Sequence, residues 1–236
     1  MAGAAVRFLP RPARADVDHA REVAALRTLG RRLEYFNGYE PKQWIGLYPA
    51  DGTNTDTVYG ITGAPSYTIE LGQAFFESCS TFESSTYPRN LNALKYAART
   101  LMAPYTAPAG PDTTAMGASA KSVVAGKPLA VSAYVDDAPY NQSNGAESVQ
   151  TITGARAFLD VRPWTAGAAS AAMTPNDGAF NSSREQATIV LNTRGLRAGR
   201  HVVYVQGRDA SGAVGTPRAI FFNVIKAPPG SQKVRQ

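Results

Sequence analysis

Glu70, in the stretch Ser66-Tyr67-Thr68-Ile69-Glu70-Leu71-Gly72, is the carboxylate with the most distinctive surroundings in the chain. Tyr48 stands 70 − 48 = 22 positions before it, and Asp56 and Tyr59 fall between the two in a stretch rich in Gly, Thr and Asn. Carboxylates and phenols are the side chains that proton transfer and substrate positioning draw on. Two other groupings hold the residue types of metal ligands. His19-Ala20-Arg21-Glu22 is a literal His-x-x-Glu pair, suited by type to zinc. It falls in the first turns of an amphipathic helix, where an i,i+3 His–Glu pair and an acidic residue near the N-terminus are commonplace, and it is not assigned as a metal site. His201, the other of the two histidines, sits in a strand pattern and reads as structural. Asp136, Asp137, Asp160, Asp177 and Asp209 carry the hard oxygens that calcium takes, but they match no defined calcium loop and read as solvated turns.

The elements that must position Glu70 follow from periodicity. Asp16 to Phe36 reads as an amphipathic helix: Val17, Ala20, Val23, Ala24, Leu29, Leu33 and Phe36 recur mostly at three- and four-residue steps, with Asp16 as cap and Asn37-Gly38 as stop. Gln43 to Tyr48 reads as a strand entering a loop over residues 49–56. Tyr67, Ile69 and Leu71 alternate with Thr68 and Glu70, which puts Glu70 on the opposite face of a strand or at its end. Asn90 to Met102 reads as a second helix after Pro88, with Leu91, Leu94, Ala98 and Leu101 on one face. Residues 104–112 then form a Pro-rich, semi-rigid linker.

Beyond the linker the helical period gives way to alternation. Leu129, Val131, Ala133 and Val135 form one such set, and Ile189 and Leu191 against Thr188, Val190 and Asn192 another; His201–Gln206 and Ala219–Val224 are further strands. Turn pairs recur between them: Ala125-Gly126, Asn144-Gly145, Asp177-Gly178, Ala198-Gly199 and Ser211-Gly212. Short strands at this spacing predict an immunoglobulin-like β-sandwich over 113–225, with 226–236 a disordered tail.

Hydrophobic residues make up 44% of the 236 and charged residues 18%, a balance that supports packed cores and excludes a disordered chain. The net charge of +6 is scattered, and no basic block interleaves with aromatics, so nucleic acid is not an expected partner. No run approaches the ~18–20 apolar residues of a membrane span, so no membrane partner is expected either. The start lacks a charged segment followed by an apolar core, so no signal peptide is recognised. With Cys79 the sole cysteine, no disulfide forms within the chain.

The order Tyr48, Asp56, Tyr59, Glu70, following a helix, resembles the C-terminal end of the catalytic domain of zinc carboxypeptidases of the carboxypeptidase A type, over residues 1–103. In that family a Tyr on a mobile loop, then an Asp, then a strand-borne Glu follow at this spacing. The resemblance implies a metallocarboxypeptidase, with peptide or protein C-termini as substrate. Glu70 would be general base for a zinc-activated water, and Tyr48 would hydrogen-bond near the substrate's terminal carboxylate. Thr55 matches the floor of the family's side-chain pocket, with Asp56 beside it among the substrate-binding positions. A short hydroxyl at Thr55 argues against both an acidic floor for Lys or Arg and a large aliphatic one.

Upstream the sequence departs from the family pattern. The family's His-x-x-Glu lies far earlier, whereas Glu22 lies only 70 − 22 = 48 residues before Glu70, and the paired Asn-Arg that grips the substrate carboxylate has no match before Tyr48. The expectation is a C-terminal portion of a longer enzyme, inactive alone, whose Zn²⁺ cofactor takes its ligands from a missing upstream segment. Arg7-Phe8-Leu9-Pro10 would run on from that segment. The full-length protein would be a monomer. The fold class implied is α/β, the C-terminal part of a mixed-sheet α/β/α carboxypeptidase domain with about its last two strands, followed by an all-β immunoglobulin-like sandwich. Strands at 44–48 and 67–71 would then leave an edge for neighbours to cover. Cys79 reads either as a buried or inert thiol or as half of a bridge to the missing part. The stretch from Leu196 to Gly212 resembles the late hairpin of accessory domains in secreted bacterial hydrolases, which fits an extracellular parent protein. The alternative is a non-enzymatic fragment whose sandwich binds a protein or glycan surface.

Overall fold

The computed structural model describes residues 5–8, 19–43 and 52–226. The chain divides into two compact units, Met1–Ala109 with Pro139–Val149, and Gly110–Ala138 with Gln150–Gln236. It is a mixed α/β chain in which sheet predominates.

In the first unit β1 (Ala5–Phe8) leads to α1 (His19–Asn37), β2 (Glu40–Gln43), α2 (Asn54–Thr62) and β3 (Tyr67–Ile69). The single turn α3 (Cys79–Thr81), a π-helical turn over Phe82–Thr86 and α4 (Tyr87–Thr100) follow. The sheet order is β2-β1-β3, with β1 parallel to β2 and antiparallel to β3. Arg7 and Phe8, expected within connecting chain, thus belong to the central strand, Ala5–Phe8. Four residues are too few for a period to declare itself. A strand at Glu40–Gln43 meets the start of the one expected at Gln43–Tyr48, whose remaining positions, Tyr48 included, lie outside the described residues.

Leu29 and Leu33 of α1 pack with Tyr39 and with Ala93 and Tyr96 of α4, and Leu26 packs with Tyr59. The helix stops at Gly38, whose φ of 75° suits glycine and whose N–H returns to the Glu34 carbonyl at 2.7 Å. On α4 the buried positions are Asn90, Ala93, Tyr96 and Thr100. The apolar stripe expected on one face of this helix is not its packed side: Leu94 is 55% and Leu101 72% exposed. Close approach of α1 and α4 selects the small and hydrogen-bonding side of the helix, and leaves the leucines unpaired.

The expected linker is partly built in, with Ala107 and Pro108 buried in a short 3₁₀ turn. The segment Pro139–Val149, expected within the sandwich, also belongs to the first unit. Its anchor is Arg32, wholly buried, which donates to the carbonyls of Pro108 (3.0 Å) and Pro139 (3.3 Å) and lies 3.6 Å over the Tyr140 ring. Tyr140 in turn donates to the Pro108 carbonyl (2.8 Å), Arg31 pairs with Glu147, and Asn144 donates to Glu34. Burial raises the Glu34 pKa, with the Asn144 hydrogen bond opposing it.

In the second unit the strands are β4 (Asp112–Ala118), β5 (Ser122–Val124), β6 (Pro128–Asp136), β7 (Ile152–Leu159), β8 (Ala171–Ala172), β9 (Thr174–Pro175), β10 (Arg184–Asn192), β11 (Gly199–Asp209) and β12 (Arg218–Ile225). They form two sheets, β4-β6-β10-β9 and β5-β12-β11-β7-β8, which face each other as a β-sandwich. Leu129, Val131, Ala133 and Val135 all point into its core, as their alternation requires, and meet Val203, Val205, Phe222 and Val224. Two glycines mark close approach: a Cβ at Gly207 would lie 2.1 Å from Val135 Cγ1, and one at Gly215 would lie 1.9 Å from the Pro111 carbonyl oxygen.

Candidate functional site

Glu70 follows the last residue of β3 and is half-buried. Tyr67 and Ile69, on the other face, pack against the α1–α4 cluster. The strand end is tied down by a polar network that the sequence reading passed over. The Gly72 amide donates to the Tyr39 hydroxyl (3.0 Å), which also accepts from Asn90 Nδ2 (3.1 Å), and Asn37 Nδ2 donates to Asn90 Oδ1 (3.3 Å). Thr86 donates to Glu77 Oε2 at 2.7 Å nearby. A signal existed: Asn37, Tyr39 and Asn90 are hydrogen-bonding residues at element ends and on the packed side of a helix, where buried polar groups need partners.

Asp56 and Tyr59 do not sit in a loop. They lie on α2, because Thr53 and Asp56 form a reciprocal cap: Thr53 Oγ1 accepts the Asp56 amide (3.2 Å) and Asp56 Oδ2 accepts the Thr53 amide (2.8 Å). Thr-x-x-Asp is a capping-box spacing with Asp in the third position, and the sequence shows it. The helix ends at Gly63 (φ 70°), whose N–H donates to the Tyr59 carbonyl. Asp56 therefore has a helix-starting role. Thr55 is buried, its hydroxyl 2.8 Å from that of Thr53, rather than lining an open pocket floor. Tyr59 is buried and donates to Glu22 Oε2 at 2.6 Å.

A groove of about 410 Å³ lies beside the strand. Ile69 and Leu71 wall one side, and Phe82, Tyr87, Leu91 and Leu94 the other. Alternation places Glu70 on the face of the strand away from these walls. The groove is mostly apolar, and in the loop after β3 Phe75 and Phe76 are each 98% exposed.

Among the described residues no three of His, Cys, Asp and Glu come together as a metal-ligand set. Glu22 holds the Tyr59 hydroxyl, and both ring nitrogens of His201 face protein oxygens. The described residues do not fit zinc. Nor do the five aspartates converge on calcium; each holds local structure. Asp136 accepts the Ala138 amide, Asp137 that of Gln150, Asp177 that of Ala179, and Asp209 that of Ala213, while Asp160 meets His201. Asp137 and Asp209 are buried turn carboxylates and not solvated ones. Cys79 is exposed, which corrects the buried-thiol reading.

No family model matches the chain, and no curated protein matches it. Solved structures share partial likeness. The PKD domain of an M14-like peptidase from a Thermoplasmatales archaeon is 10% identical over 49% of this chain and 95% of that one, with a TM-score of 0.33. OgpA from Akkermansia muciniphila is 12% identical over 48% of this chain and 28% of that one, with a TM-score of 0.32. The fibronectin(III)-like modules of Clostridium thermocellum CbhA are 16% identical over 48% of this chain and 100% of that one, at 0.28. None of these likenesses is close enough to bear on activity.

Proposed function

We propose that the first unit is one part of a larger metallocarboxypeptidase domain acting on peptide C-termini outside the cell, with Glu70 as its general base, and that the second unit is an accessory β-sandwich. The observation that carries this reading is the apolar surface left uncovered around β3 and α4: Leu71, Phe75, Phe76, Leu94, Leu101 and Met102 are all more than half exposed. Large apolar side chains exposed in this number fit a surface that a further part of a domain would cover, and an open sheet edge is a hazard unless covered. The order Tyr48, Asp56, Glu70 supplies the chemical identity through its resemblance to the carboxypeptidase A type. Glu70 is half-buried beside a strand end that the Tyr39–Asn90 network ties down, a position in keeping with the proposed role. Among the described residues no zinc-ligand set is present, and the catalysis proposed belongs to the larger domain.

The test joins the chain in frame to an encoded upstream segment bearing a His-x-x-Glu pair, and assays release of the terminal residue from an N-blocked peptide. Cleavage that Glu70→Gln abolishes supports the reading. Cleavage indifferent to Glu70→Gln, or a joined chain that binds zinc yet cleaves nothing, contradicts it.

A further inference from the structure

His201 lies on β11 with an oxygen acceptor at each ring nitrogen. Nδ1 is 2.5 Å from Asp160 Oδ2, and Nε2 is 2.8 Å from the Arg197 carbonyl oxygen. Asp160 is fixed independently: its amide donates to the Val202 carbonyl, its Oδ1 accepts the Val202 amide, and it takes a left-handed φ of 54°. Arg197 belongs to the turn between β10 and β11, which Gly195 bends with a φ of 82°. From β12 the ring is met by Phe222, stacked at 5.5 Å and uncharged. Asp160 is thus the charged side chain in contact with the ring, and Arg197 meets it through its backbone. A carboxylate and a carbonyl bring no proton, so the ring must supply two. A neutral imidazole carries one, and leaves a lone pair against one of the two oxygens. The Asp160 contact is charged and short and holds the Nδ1 proton, so the carbonyl of Arg197 is the partner lost.

We propose that His201 is a proton-operated clamp, closing the turn from Thr193 to Gly199 onto β11 while the ring is charged and freeing it when the ring becomes neutral. The hydrogen bond that the ring donates to Asp160, and then that to the Arg197 carbonyl, raise the His201 pKa above the ordinary 6.5, so the change falls above that pH. Because the folded value is the raised one, the clamp's contribution to stability is complete below the unfolded value and is lost as pH rises through the folded one.

The test follows the ring nitrogens of His201 by nitrogen NMR in the full chain, together with hydrogen-exchange protection of the amides of residues 194–199 across the same pH range. The expected result is two protonated ring nitrogens at pH 6.5 and a midpoint above it, with turn protection, corrected for the intrinsic rate, falling across that midpoint. Asp160→Asn lowers the midpoint, and in His201→Gln the turn no longer responds to pH. A midpoint at or below 6.5 in the unmodified chain, or turn protection that stays flat while the ring titrates, overturns the clamp.

Discussion

The two units solve the problem of burying apolar surface in opposite ways. In the second, fifteen buried residues form one cluster between two paired sheets. Among the described residues of the first, the clusters hold five and two buried residues, and the larger apolar side chains of α4 and of the loop after β3 lie open. The difference teaches that apolar packing dominates the sandwich, with buried carboxylates such as Asp137 and Asp209 tying its turns, whereas the described part of the first unit leans on local devices: a capping box, a buried arginine and a network of amides and a phenol.

The sharpest way to break that comparison is in the sandwich core. Leu129 is fully buried, and Leu129→Ala is expected to cost about 2–5 kcal/mol. Urea unfolding read from the second unit should show it, with the tryptophan at Trp164 as a local probe. A loss well below that range would mean the core can collapse around the gap. The next largest effect belongs to the first unit. Arg32→Ala strips the donors from the Pro108 and Pro139 carbonyls and should cost roughly 1–3 kcal/mol for the groups left unsatisfied, with proteolysis of the 139–149 segment as a direct readout. If that segment stays protected, the arginine is not its anchor.

Those two sites also show what the sequence could and could not reveal. The alternation of Leu129, Val131, Ala133 and Val135 was legible because an inward row in a two-sheet core obeys a strict period of two. Arg32 was illegible: a basic residue amid a helical pattern reads as solvated until the segment that buries it, more than a hundred positions away, is placed. The stripe of Leu91, Leu94, Ala98 and Leu101 misled for a related reason. Periodicity tells which residues share a face but not whether a partner covers it, and α4 instead packs through Asn90, Ala93 and Tyr96. Around the candidate site, Glu70 at a strand end was readable from alternation. Asp56 was misplaced into a loop because the glycines and threonines around it outweighed the Thr53-x-x-Asp56 cap.

A smaller effect tests that cap. Thr53→Ala should cost about 0.5–2 kcal/mol of first-unit stability, and Thr53→Asp should restore most of it. Equal loss in both variants would deny the capping role. The smallest effect belongs to the open face. Leu94→Gln and Leu101→Gln should each change stability by no more than about 0.5 kcal/mol, since neither leucine is buried. A loss of several times that amount would mean that something covers the stripe in solution.

The most direct test of the central claim, that Glu70 is a candidate base while the described residues hold no metal-ligand set, is the chain's zinc content by elemental analysis after equilibration with the metal and dialysis. Cleavage of a blocked C-terminal peptide should be assayed on the same sample, with Glu70→Gln beside it. Zinc far below one per chain and no cleavage in either protein is the predicted result. One zinc per chain with cleavage that depends on Glu70 would contradict it.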